Sequence, residues 1–138
     1  MRIFLDTNVL VSAVATRGLC ADVVREVLVS HLLIISESLL TEVRSVLRKK
    51  LAVPNDLISE FIDLLKRDNP FSTHSPLHEI DIQDNNDVVI LSSALNGNAD
   101  LFITGDKELL ELHKVKNMNI VSPRMFWEKL LSNSPDKL

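Results

Sequence analysis

Short apolar runs alternate with longer stretches of helical period along this chain. Arg2-Ile3-Phe4-Leu5 is an apolar run ended by Asp6-Thr7-Asn8, which suits a buried parallel strand. Val9, Leu10, Ala13 and Val14 then recur at helical spacing. A further helix follows Gly18, with Cys20, Val23, Val24, Val27 and Leu28 as its inner face. Leu32 to Ile35 reads as the second strand. Residues 36–51 read as a helix striped by Leu39, Leu40, Val43, Val46 and Leu47. Pro54 fits the first turn of the next helix. Leu57, Ile58, Phe61, Leu64 and Leu65 give it a 3.6-residue period, and Asn69-Pro70 stops it.

Residues 71–83 carry the weakest pattern, with a short strand expected near Phe71-Ser72-Thr73 and loop beyond it. Asp84 reads as an N-cap, with Asp87 three residues on as in a capping box. Val88, Leu91 and Leu95 line the helix that follows. Leu101 to Thr104 is a strand, Gly105-Asp106 turns into a helix over 107–113, and Asn119 to Val121 is a last strand. A final helix begins at Ser122-Pro123 and carries Met125, Phe126, Leu130 and Leu131. Alternation of this kind predicts an α/β fold: a three-layer sandwich whose central parallel sheet has about four to five strands flanked by helices. One domain over residues 1–131 and a polar tail over 132–138 are expected.

Composition agrees with that reading. The 138 residues suffice for one buried core, and only three glycines argue against a loop-rich chain. Aromatics are few, so Leu, Ile and Val must fill the interior, as in buried parallel sheets. The lone cysteine, Cys20, excludes an intrachain disulfide and fits a reducing, cytoplasmic setting. By itself Cys20 reads as a small core or helix residue. Arg2, the apolar run and Ala13-Val14-Ala15 imitate a signal peptide, but Asp6 and Asn8 interrupt where its apolar core would lie. No apolar run has the length of a membrane span.

The formal net charge of −4 counts mildly against a general nucleic-acid binder. It does not exclude a metal-dependent nuclease, whose cation offsets an acidic site. Asp6, Glu42, Asp87 and Asp106 each fall at or just beyond a turn on one predicted sheet edge. Ligands of such sheets bind beyond the carboxyl ends of the strands. Gathered carboxylates repel one another unless a divalent cation sits among them. Singly, each acid has an ordinary role: Asp6, Asp84, Asp87 and Asp106 as helix-start residues, Glu42 as a solvated one. Their conjunction points instead to a metal site for phosphate chemistry.

The residues carry a resemblance. Ile3 to Leu10, with Asp6-Thr7-Asn8 after the strand, resembles the opening of the PIN domain family of metal-dependent ribonucleases. Ser36 to Val43 is similar to its second block, with Glu42 as the acid. Asp84 to Asp87 followed by Val88-Val89-Ile90-Leu91 resembles the third, and Thr104-Gly105-Asp106-Lys107 the fourth. Ile120 to Phe126 is similar to the closing strand-Pro-helix. One departure is Asn85-Asn86, where the family often has a denser run of aspartates; Asp84 is left between a cap and a site role.

The resemblance implies hydrolysis of RNA phosphodiesters with Mg²⁺ or Mn²⁺. Asp6 and Asp106 would be the firmest metal ligands and catalytic residues. Glu42 and Asp87 would complete the site, and Asn8 and Thr104 would orient it from behind. Arg44 and Arg48, with Lys49 and Lys50 beyond them, and Lys107 are candidate RNA phosphate contacts. Arg48, Lys49 and Lys50 read equally well as partners of a helix C-terminus, and Arg17 beside Gly18 has little support. The resemblance further implies the toxin of a toxin–antitoxin pair, with single-stranded RNA as substrate, a small antitoxin as partner and a homodimer as assembly. His74 and His78 have zinc-ligand spacing, but Pro76 lies between them and breaks the helix that spacing requires. The alternatives are a phosphotransfer domain of haloacid-dehalogenase or receiver type, or a silent RNA- or protein-binding module. The first lacks its second acid, since Asn8 stands there.

Overall fold

A computed structural model describes residues 1–132. The elements run β1 (Arg2–Leu5), α1 (Thr7–Ala15), α2 (Leu19–Ser30), β2 (Leu32–Ser36), α3 (Glu37–Lys49), α4 (Asn55–Lys66) and β3 (Phe71–Ser72). They continue as α5 (Asn85–Asn96), β4 (Leu101–Ile103), α6 (Lys107–Leu110), β5 (Lys114–Val115), β6 (Met118–Val121) and α7 (Pro123–Ser132). The sheet order is β3-β2-β1-β4-β6-β5, parallel except for the β5–β6 pair. Helices flank this sheet, as the alternating pattern predicts. Among the described residues no single helix is long and apolar enough to cross a membrane.

The chain winds from β1 outward through β2 to β3, then returns to place β4 on the other side of β1. The order therefore reverses between β1 and β4. At such a point the two flanking crossovers diverge and leave a crevice beyond the strand ends. Phe4 pairs with Phe102 across this seam, and their rings stack with centroids 5.3 Å apart. That stack adds about 0.5–1.5 kcal/mol to the burial of the two rings. Ile3, Phe4 and Leu5 have no exposed surface, nor do Leu33, Ile34 and Ile35. Strands covered on both faces read as unbroken apolar runs, which is why they stand out in the sequence.

α3 begins where Ser36 accepts a hydrogen bond from Leu39 N at 3.2 Å, and Arg48 and Lys49 close its last turn against the dipole. Leu39, Leu40, Val43 and Leu47 are its buried stripe. Asp84 caps α5 by accepting from Asn86 N and Asp87 N. Among the described residues Asp87 returns no bond to the Asp84 N–H, so the box stays open and the Asp87 carboxylate is left free.

Several expectations need correction. The sheet has six strands. The uncounted one is β5, since the helix expected over 107–113 stops at Leu110. His113 N bonds back to Leu110 O, His113 and Lys116 take left-handed backbone (φ 59° and 53°), and the chain doubles into the β5–β6 hairpin. On α4 the buried residues are Ile58, Ile62 and Leu65, whereas Leu57 and Leu64 are 50% and 42% exposed. Met125 and Leu131 of α7 also face outward. Ser132, where the polar tail is expected to begin, is the last residue of α7, and the rest of that tail, 133–138, lies outside the described residues.

Gly97 marks the tightest packing at α5. Its φ of −84° suits any residue, so its lack of a side chain is a matter of space. An added Cβ would collide with Ile34 Cγ2 and press on Ser72 at 3.1 Å. Gly97→Ala should lower stability by about 1–3 kcal/mol, measured by urea unfolding, with an unchanged m-value if only the native packing is disturbed.

Candidate active site

Asp6 follows β1 directly and lies at the switch point. It is 8% exposed, and its backbone N–H continues the ladder to Ile103 O at 2.9 Å. A buried carboxylate needs donors. Its Oδ1 accepts from Thr7 N at 2.8 Å, and its Oδ2 accepts from Thr104 Oγ1 at 2.8 Å and Asn8 Nδ2 at 3.2 Å. Thr104, fully buried at the end of β4, also accepts from Asp106 N at 3.0 Å. Asn8 Oδ1 in turn accepts from Gly105 N at 2.9 Å. One small network thus joins the ends of β1 and β4. It accounts for the supporting positions expected of Asn8 and Thr104.

Above this network is an open cavity of about 370 Å³. Asp6, Glu42, Asp87 and Asp106 all line it, from four separate segments of the chain. Asp106 caps α6 by accepting from Glu108 N at 2.9 Å. Glu42 reaches the cavity from α3, and Asp87 from the first turn of α5. Asp84 is not part of the lining, but its charge is felt by both Glu42 and Asp87.

The electrostatics are those of an anionic site short of positive charge. Burial raises the Asp6 carboxyl above its ordinary value, with Asp106 adding and the three hydrogen bonds opposing. Glu42 is also raised, first by loss of water around its carboxylate and then by Asp6 and Asp84, against the nearby Thr7 hydroxyl and Lys50. Asp87 is pushed up to about 6 by burial, then by Asp84, Asp106, Asp6 and Glu108, with nothing opposing.

Thr7 and Lys50 also line the cavity. Thr7 is 6% exposed, lines the cavity, and its Oγ1 is buried without a partner of good hydrogen-bond geometry. That hydroxyl influences Glu42, though the pair lacks good hydrogen-bond geometry. Lys50, at the end of α3, is the basic side chain lining the cavity. The signal for Lys50 was the Glu42-Val46-Lys50 spacing of four residues each, which puts all three on one helix face. Val46 and Lys50 lie about 40° and 80° around α3 from Glu42, whereas Arg44 and Arg48 lie about 160° and 120° away. Both arginines are exposed on that other side, and Lys107 is exposed next to Asp106 without lining the cavity. His78 is held elsewhere, its Nε2 2.7 Å from Asn96 Oδ1 and its Nδ1 against the Lys116 amine; His74 is exposed.

Among the described residues no three His, Cys, Asp or Glu side chains close into a ready-made metal cage. Asp6 and Asp106 each turn an oxygen onto a helix N–H instead, at 2.8 Å and 2.9 Å. The donor set still fits a hard divalent cation. It is all oxygen, it faces an open cavity with room for waters, and it includes the unsatisfied Thr7 hydroxyl.

The carboxylates are gathered over the switch point of a mostly parallel sheet in an α/β domain. The chain belongs to the PIN domain family, whose family model matches residues 2–108. It is similar in fold to the crystal structure of VapBC2 from Rickettsia felis bound to a DNA fragment from their promoter, with TM-score 0.62 and 17% identity over 88% of this chain and 98% of that one. It is also similar to VapBC-1 from nontypeable Haemophilus influenzae, with TM-score 0.57 and 19% identity over 90% of this chain and 99% of that one. At such identities the likeness is one of fold. No curated protein matches the chain.

The Asp87 shift has a defined sign. A carboxyl whose folded pKa is raised from 3.8 to about 6 loses stability as pH rises through that interval. In EDTA, Asp87→Asn should therefore melt about 2–5 °C above the parent at pH 7.5. The gap should narrow toward zero as the pH falls to about 4. A gap independent of pH in thermal melts would assign the gain to something other than charge.

Proposed function

We propose that this chain is a divalent-metal-dependent endoribonuclease that hydrolyses single-stranded RNA, acting as the toxin of a toxin–antitoxin pair. The observation that carries this reading is the meeting of Asp6, Glu42, Asp87 and Asp106 on one open cavity at the switch point. Asp6 and Asp106 are the firmest ligands, because the strand ends and the Thr104 hydroxyl fix them. Glu42 and Asp87 complete the set, partly through water. Mg²⁺ or Mn²⁺, when bound, supplies Lewis acidity toward a phosphate oxygen and a more acidic water.

The chain's own groups do the rest. Thr104 and Asn8 hold the Asp6 carboxylate in one orientation. The Thr7 hydroxyl is free to donate to a water or phosphate oxygen entering the cavity. Lys50 offers a phosphate contact at its rim, and Lys107 another beside Asp106. Arg44 and Arg48 can meet only RNA that wraps past α3. No observation favours a phosphotransfer domain: Asn8 is bound to Asp6 and Gly105 and has no proton to give as an acid.

The toxin role draws on the PIN domain match and on likeness in fold to two VapBC structures. A small antitoxin protein covering the cavity, and a homodimer, belong to the same proposal. The cytoplasm, where RNA targets lie, is the proposed location.

Purified protein should cut single-stranded RNA with Mg²⁺ or Mn²⁺ and stop in EDTA. Asp6→Asn should reduce kcat/KM by about 100-fold or more, and Thr104→Val by about 10–100-fold, as expected for a ligand and its supporting partner. Equal cleavage by Asp6→Asn and the parent would remove the site from the reaction. Hydrolysis of a small phosphate ester without RNA cleavage would favour a phosphatase. For the target, RNA ends sequenced after induced expression should show cut sites that vanish with Asp6→Asn.

A further inference from the structure

We propose that a second cavity beside the acidic one, less charged and sharing Asp106 with it, is a nucleobase subsite, which takes the base adjoining the phosphate held at the acids. The proposal rests on the nuclease reading above.

The cavity has a volume of about 470 Å³, in the range of small-ligand sites. Val9 and Ser12 of α1, Cys20 of α2, Gly105 of the β4–α6 turn and Pro123 of α7 form its walls. Its border with the acidic cavity is shared: Asn8, Ser12 and Asp106 line both. A strand threaded past the acids therefore meets this second space next.

Its chemistry selects the occupant. Asp106, at the shared border, is the sole charged residue of the lining. No cation lines it, so a phosphate placed there would face a carboxylate and no counter-charge. The remaining walls mix apolar and weakly polar surface, from Pro123 and Cys20, with the small polar groups of Ser12 and Asn8. A flat, neutral heterocycle with hydrogen-bonding edges matches that mixture.

Three details agree. The Ser12 carbonyl is taken by Thr16, from both N and Oγ1, whereas the Ser12 hydroxyl meets the weakly polar Cys20 thiol. It remains available to a base edge. Burial pushes the Cys20 thiol up, so it stays a neutral, weakly polar wall instead of a reactive thiolate. Gly105 has no left-handed backbone that would call for glycine. A Cβ there would press on Asn8 Oδ1 at 3.3 Å, so the bare backbone keeps the wall low beside the shared border. Arg124, exposed, follows the wall residue Pro123, and Arg17, exposed in the turn before α2, precedes Cys20 by three positions; both suit the flanking phosphates.

The test has two arms. In the first, labelled protein is titrated with adenosine, guanosine, cytidine and uridine, which carry no phosphate and need no metal. At millimolar nucleoside, amide shifts should appear at residues 9–12, 19–20 and 105, strongest for one base. Cys20→Phe, which fills the cavity from the side away from the acids, should weaken that binding about tenfold. If Cys20→Phe does not fold, Cys20→Leu makes the same comparison. In the second arm, an abasic site next to the cut phosphate should lower kcat/KM about tenfold in the parent and cause no further loss in Cys20→Phe.

The subsite is overturned if no nucleoside shifts those amides. It is equally overturned if an apolar peptide shifts them and nucleosides do not, which would make the cavity a protein-docking site. Nucleoside shifts without RNA cleavage by the parent would uphold the subsite as a base-binding cavity and overturn the nuclease reading alone.

Discussion

The site depends on a single buried carboxylate being tolerable. Asp6 sits at the end of a central strand, where water is nearly excluded, and a charge there is costly unless donors meet it. Thr104 from β4, the Thr7 backbone and the Asn8 amide provide them. The Thr104 bond does two jobs, because it also joins the strands that flank the reversal of sheet order. The same hydroxyl accepts from Asp106 N, so the second strand-end acid is placed by the side chain that placed the first. Glu42 and Asp87 are then added by helices whose positions the core fixes.

What this arrangement does not do is neutralise itself. Asp6 has three donors, whereas Asp87 is raised by burial and four neighbouring carboxylates with no opposing group. Lys50 faces the acids from the rim, yet as an exposed ammonium it offsets little. Such local conflict is characteristic of functional sites, where stability is given up for a group held ready to bind. A fold with the same strands and neutral side chains here would be more stable and would have nothing to offer a cation.

The central strands and the four acids were legible because both carry strong signals. Buried parallel strands leave unbroken apolar runs, and a carboxylate straight after such a run has few places to go. α4 was misread in part because Leu57 and Leu64 share a helical period with the buried Ile58 and Leu65. Periodicity finds an apolar stripe but not which edge of it is covered. β5 escaped because two residues between left-handed turns leave no pattern, and the turn carries neither Gly nor Pro to announce it. Thr7 was hidden for a different reason, and Lys50 was left between two roles. An unpartnered hydroxyl exists only once the surrounding packing is known. A basic residue at a helix end has an ordinary explanation until the opposite wall is seen.

Both margins of the sheet end in strands of two residues, β3 on one side and β5 on the other. Unpaired backbone at a long, flat border would invite another chain to add itself by hydrogen bonding. Here each border is too brief to template such growth, and exposed Lys114 marks one of them. Association by strand addition is thereby disfavoured, and helix faces such as that of Leu57 and Leu64 are left as the surfaces through which this molecule can recognise company.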